Sequence, residues 1–185
     1  MTVIKDDMVF KGRIDMDVQL DDTYGAGAEG TAFGPRTFRR YESDHIITSI
    51  HVDLTGLKAK GDAGNDVIGL GAGGAAYLAQ YDSATWGILY LVEAICLEAP
   101  AGTNTTTDID IAFNASGTLA YDGAAGTAEL NFGGMAVACI YSVTTPGSLT
   151  DDDYIYLVEG DTAAAEGTYT AGQFIFRFYG HAALS

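Results

Sequence analysis

Ile14, Met16, Val18 and Leu20 alternate with Asp15, Asp17 and Gln19. A period of two places the first set on one face of a strand and the second on the other, which predicts a half-exposed strand. The stretch that follows, to Asp44, has no such pattern. It is rich in Gly and Ala and includes Gly34-Pro35-Arg36 and Phe38-Arg39-Arg40. So long a stretch without periodicity is uncommon inside a compact domain. Residues 1–44 therefore read as an extended N-terminal arm with one embedded strand.

From His45 onward the pattern becomes regular. Ile46, Ile50, Val52 and Leu54 alternate with Ser49, His51 and Asp53. Val67 to Leu70 is short and apolar. Thr85 to Glu98 is a long apolar run whose length predicts a central strand, and Ala99-Pro100-Ala101-Gly102 closes it. Ile109, Ile111 and Phe113 alternate with Asp108 and Asp110. Further faces are offered by Ala128, Leu130 and Phe132, by Met135 to Val143, and by Phe174, Phe176 and Phe178. Tyr154 to Val158 is apolar on both sides. Only Ala75 to Gln80 hints at a helix. About eight short strands with turn signals between them predict an all-β fold, a β-sandwich or jelly-roll-like domain over residues 45–185.

Composition agrees with strands and turns: Tyr, Phe, Val, Ile and Thr are abundant, and 24 glycines supply the turns. The chain has 185 residues, enough for one domain with its own core. Charge changes the picture more. The formal net charge is −16, and it is unevenly spread. Ten acidic residues face eight basic ones in the first sixty positions, about −2. Fifteen acids face Arg177 alone in the remainder, about −14. Such a surface repels phosphate and anionic lipid, so neither nucleic acid nor membrane is expected as a partner. No segment has the roughly 18 apolar residues of a membrane-spanning helix. Lys5, Asp6 and Asp7 break the signal-peptide pattern, so synthesis in the cytoplasm is expected. For the same reason Asn104-Thr105-Thr106 and Asn114-Ala115-Ser116 are not read as glycosylation sites.

Candidate chemistry is sparse. Gly69 to Gly74 matches G-x-G-x-x-G, but a strand rather than a helix follows, so a Gly-rich loop is expected and no nucleotide. His45, His51 and His181 have no zinc-ligand spacing, so no metal site and no cofactor are expected. Neither Cys96 nor Cys139 has a nearby histidine, and no G-x-S-x-G is present. Both cysteines lie in apolar runs and read as buried thiols. The acidic turns at Asp62-Asn65-Asp66 and Asp151-Asp152-Asp153 lack EF-hand spacing and read as solvated turns. Glu93 lies between Leu91 and Ile95 on one strand face. A half-buried carboxylate needs a partner, and Arg177, the one base beyond residue 60, is proposed as a structural ion pair with it. No catalytic residues are assigned, and the chain reads as a non-enzyme.

Six segments carry a resemblance: "DLTGL" (Asp53 to Leu57), a Val-Ile-Gly strand (Val67 to Gly69), "ICLEAPAG" (Ile95 to Gly102), "TDIDIAF" (Thr107 to Phe113), "YIYLVEG" (Tyr154 to Gly160) and "GTYTAGQFIFRFYG" (Gly167 to Gly180). In this order they resemble small virion structural proteins of tailed, mostly marine, bacteriophages, of the capsid decoration (cement) type. The resemblance implies a β-sandwich that sits on the exterior of the capsid as a homotrimer and stabilises the major capsid protein lattice, often with an extended arm. A tail or baseplate component and a carbohydrate-binding host-receptor fibre domain are the alternatives. On the arm, Ile14, Met16, Val18, Leu20, Arg36, Phe38, Arg39 and Arg40 are the expected partner-binding residues. They would act by strand addition and by pairing with carboxylates.

Overall fold

The structure is a computed structural model. It describes residues 18–20, 23–31, 34–42, 44–60, 65–71, 73–126, 130–137, 139–144, 149–160 and 166–182. Among the described residues, ten strands make two antiparallel sheets. The larger has seven strands: β1 (Val18–Leu20), β2 (Arg36–Glu42), β3 (His45–Asp53), β4 (Lys58–Ala59), β6 (Ile88–Thr103), β8 (Ile140–Thr144) and β10 (Gly167–His181). Their order is β1-β2-β3-β10-β6-β8, with β4 pairing the start of β10. The smaller sheet is β5-β9-β7, from β5 (Tyr77–Gln80), β9 (Tyr154–Glu159) and β7 (Ile109–Asn114). The fold is an all-β sandwich.

The core lies between the sheets, and two-residue alternation builds it. Phe174, Phe176 and Phe178 of β10, Ile50 and Val52 of β3, and Val92, Ala94 and Cys96 of β6 point inward from the large sheet. They meet Leu78, Ile109, Ile111, Ile155 and Leu157 of the small one. Burying a side chain of this size contributes about 1.5–3 kcal/mol each. At one end of the sandwich the one-turn helix α1 (Ser83–Trp86) drops Trp86 against Phe178, ring centroids 5.3 Å apart. The turn is well capped. Asp82 accepts from Ala84 N–H, and Asp151 accepts from both the backbone and the hydroxyl of Ser83. Asp153 accepts from the backbone and hydroxyl of Thr150. The Asp151 to Asp153 run thus serves to brace turns.

Tyr154 to Val158 is apolar on both sides because β9 is buried on both. Ile155 and Leu157 face the main core. Tyr156 and Val158 join a second cluster with Val67, Ala76, Ala112 and Ala125. Residues 116–126 lie over this back face: Tyr156 Oη donates to the Ser116 carbonyl, and Val67 and Ala76 N–H donate to the carbonyls of Gly123 and Leu119.

The sequence reading departs from the structure at several elements. Ala75 to Gln80 holds a strand, β5, and no helix. Pairing with β9 outweighs alanine's helix preference there. Strand β6 starts at Ile88, after Thr85 and Trp86 in α1, and runs through Pro100 to Thr103 instead of ending at Glu98, with bulges absorbing the irregularity. Val67 and Gly69 make isolated bridges only.

The described part of residues 1–44 is built into the sandwich and does not stand off it as an arm. β2 pairs along its whole length with β3, and Val18, Gln19 and Leu20 pair with Arg39, Phe38 and Thr37. Gly25 and Gly27 N–H donate to the carbonyls of Tyr77 and Ala75, and Thr31 N–H to that of Thr55. Backbone groups that looked unpatterned are satisfied by long-range partners. Ile14 and Met16 lie outside the described residues.

Candidate interaction face

The inner face of the large sheet is the core; its outer face is covered by no described element. Register sorts the outer residues into rows that cross five strands. One row runs Ile140, Ile95, Ile175, His51 and Arg36, from β8 to β2. The next runs Ser142, Glu93, Arg177, Ser49 and Phe38. A third runs Thr144, Leu91, Tyr179, Ile47 and Arg40. At the end of the sheet Ile88, His181, His45 and Glu42 form the last row. The face mixes exposed aliphatics, Ile140 at 63% and Ile88 at 62% exposure, with arginines and all three histidines.

Three of the four arm residues that the structure places from β2 behave differently from the fourth. Arg36, Phe38 and Arg40 share the outer face. Phe38 packs on His51, ring centroids 4.8 Å apart, and Arg40 forms an ion pair with Glu42 at 2.8 Å. Arg39 is on the opposite face and only 7% exposed, so it is removed from the partner-binding set. Its Nε donates to the Thr48 hydroxyl at 3.2 Å, and its guanidinium lies 5.8 Å from the centre of the Trp86 ring. Alternation forces this: Arg39 is one residue from Phe38 and Arg40, so it must point the other way. Val18 and Leu20 are described as backbone only.

Glu93 and Arg177 are direct register partners on β6 and β10. Tyr179, two residues along β10 from Arg177, donates a 2.6 Å hydrogen bond from its hydroxyl to Glu93 Oε2. Its phenol is pushed above its ordinary range, first by burial and then by Glu93, with Arg177 pulling the other way. Beside this group, Arg40, Ile47, Ser49, Arg177 and Tyr179 line a shallow cavity of about 180 Å³.

Charge sets this face apart. Among the described residues, Arg36, Arg40 and Arg177 are offset by Glu42 and Glu93 within it and by Asp44 and Glu98 at its ends, so this described face is close to neutral on a chain of −16. No described helix is long and apolar enough to cross a membrane.

Sequence reasoning missed the histidine cluster at the end of the face. His45 and His181 are directly opposite across β3 and β10, with ring centroids 4.7 Å apart. Asp44 Oδ1 lies 3.5 Å from His45 Nε2. The ring of Tyr90 stacks on His181 at 4.5 Å, and its hydroxyl is 3.1 Å from His45 Nδ1. Tyr90 is the extra residue of a bulge: Tyr179 pairs with Leu91 and Gly180 with Leu89. A bulge re-aims a side chain in this way. Beside it, Gly180 lets the end of α1 approach: a Cβ there would meet the Trp86 carbonyl at 2.1 Å. No spacing rule could reveal a pair that only strand pairing brings together.

No protein-family model, curated protein or solved structure matches this chain.

Proposed function

We propose that this chain is a non-enzymatic structural protein of a virion, a capsid decoration protein that docks on the outer surface of the major capsid protein lattice. The single observation behind this reading is the outer face of the large sheet, which no described element covers. Five strands wide, nearly neutral and crossed by a row of isoleucines, it is the surface best suited to a protein partner on an otherwise strongly acidic molecule. The acidic remainder keeps the exterior soluble. The order of sequence segments that resembles phage virion proteins selects the capsid as the partner. A carbohydrate-binding role fits less well, because Trp86 is buried against Phe178 and cannot stack on a sugar.

Attachment is assigned to Arg36, Phe38, Arg40, Ile140 and Ile175, in place of a free arm. Self-association as a homotrimer belongs to the same reading. Its support is the outward apolar side of β6 alone, since the double-sided burial of β9 is satisfied within the chain.

The test is occupancy on undecorated capsids, read by co-sedimentation and cryo-electron microscopy. Ile140→Asp combined with Ile175→Asp should abolish coating, whereas Thr118→Asp, on the far side of the small sheet, should coat normally. Normal coating by the double variant would overturn the assignment. Mass spectrometry of purified virions should find hundreds of copies; a handful would indicate a tail component.

A further inference from the structure

Asp44, His45 and His181 bring three potential metal-ligand atoms within 4.8 Å of one another. We propose that they bind one divalent transition-metal ion of the zinc class, with a coordination position left open to solvent or to a partner's side chain.

The donor set points to the metal class. Two imidazoles and one carboxylate suit Zn²⁺, Ni²⁺ or Cu²⁺, whereas Ca²⁺ and Mg²⁺ require oxygen ligands. The geometry is near what such an ion needs. Two ligands each about 2.0 Å from a tetrahedral ion are about 3.3 Å apart, and Asp44 Oδ1 and His45 Nε2 are already 3.5 Å apart. Asp44 and His181 are both exposed, so closing the remaining distance falls to surface side chains.

The surroundings are organised as a ligand's second layer is. A metal on His45 Nε2 places the ring proton on Nδ1, which then donates to the Tyr90 hydroxyl oxygen 3.1 Å away. The Tyr90 ring also stacks on His181, so one side chain orients both imidazoles. The backbone holds the three ligands in register. His45 pairs with His181, and Ala182 N–H donates to the Asp44 carbonyl at 2.8 Å. The connection from Glu42 to His45 is only two residues long, which keeps Asp44 at the strand end. Glu42, the other carboxylate of this row, is engaged by Arg40.

Isothermal titration of the full chain with Zn²⁺ in metal-free buffer tests the site. The expected result is saturable uptake of one ion per chain, unaffected by excess Mg²⁺. His45→Ala and His181→Ala should each weaken binding at least tenfold. Tyr90→Phe keeps the ring stack but removes the hydroxyl, and should weaken binding about tenfold, in the range measured for second-layer partners. His51→Ala, a histidine of the same face outside the cluster, should bind as wild type. Imidazole NMR of the unaltered chain supplies a readout that needs no variant: Zn²⁺ should shift His45 and His181 and leave His51 in place. The absence of saturable binding, or shifts confined to His51, would overturn the proposal. So would full affinity in the His45→Ala/His181→Ala double variant.

Discussion

The Tyr179 hydroxyl donates to Glu93 Oε2 at 2.6 Å, across β10 and β6. A hydrogen bond to a charged acceptor contributes about 1.5–3 kcal/mol when shielded, and less where water competes. Tyr179→Phe should therefore lower stability by about 1 kcal/mol. A double-mutant cycle with Glu93→Gln, read by urea denaturation, should give a coupling energy of similar size. Additive effects would mean that the contact carries no energy.

Arg39 and its neighbours should separate cleanly. Arg39→Ala removes a buried cation from the Trp86 ring and leaves Thr48 without its donor, so a loss of about 1–3 kcal/mol is expected. Arg36→Ala and Arg40→Ala change surface residues and should stay within about 0.5 kcal/mol of wild type. On the proposed docking role, capsid attachment should show the reverse ranking. Thermal unfolding and capsid co-sedimentation on the same three variants decide it.

Asp110 is fully buried on the back of the small sheet. Its Oδ1 accepts from Phe132 N–H at 2.8 Å, while Oδ2 has no hydrogen-bond partner. The chain can pass so closely because residue 160 is glycine: a Cβ there would lie 2.6 Å from Oδ2 and 2.5 Å from Asp108 Oδ1. Burial, and to a smaller degree Asp108, raises its carboxyl from 3.8 to about 6. The folded state thus holds a proton that the unfolded chain releases near pH 4. Stability from this group is present below pH 4 and is lost as pH rises to about 6, a total of about 3 kcal/mol. Asp110→Asn should be more stable than wild type at pH 7 and nearly equal to it at pH 4. Urea midpoints measured across that range would refute the account if the two proteins ran parallel.

Cys96 is buried and Cys139 half-buried, and neither is in a disulfide. Burial also raises the Cys96 thiol above its ordinary range, which slows thiolate chemistry further. A thiol reagent should modify Cys139 first in the native protein and Cys96 only on unfolding. Both should react in denaturant without reductant. Equal native rates would mean that the β6–β8 edge opens readily.

Much of the fold was legible because side-chain direction in a strand is a local property. The alternation at Phe174, Phe176 and Phe178 assigned the core face of β10, and Ile175, Arg177 and Tyr179 the outer face, without any knowledge of neighbours. The placing of Glu93 with Leu91 and Ile95 on one face of β6 follows from the same rule. β2 escaped notice because its inner face carries Arg39. Sequence patterning scores such a residue as polar, and only Trp86 and Thr48 make it a core residue.

What the amino-acid sequence determined by itself was the class of fold, the faces of its long strands and the uneven charge. Those depend on nearest neighbours along the chain and on composition. The tertiary structure alone decided which strands lie side by side. It joined β10 to both β3 and β6, so that Arg177 came opposite Glu93 and His181 opposite His45. It closed residues 23–31 and 34–42 onto the sandwich and covered the back of β9. A period of two says which way a side chain points, but not what it meets. That depends on closing loops between distant segments, where burial of the whole core selects one pairing among many.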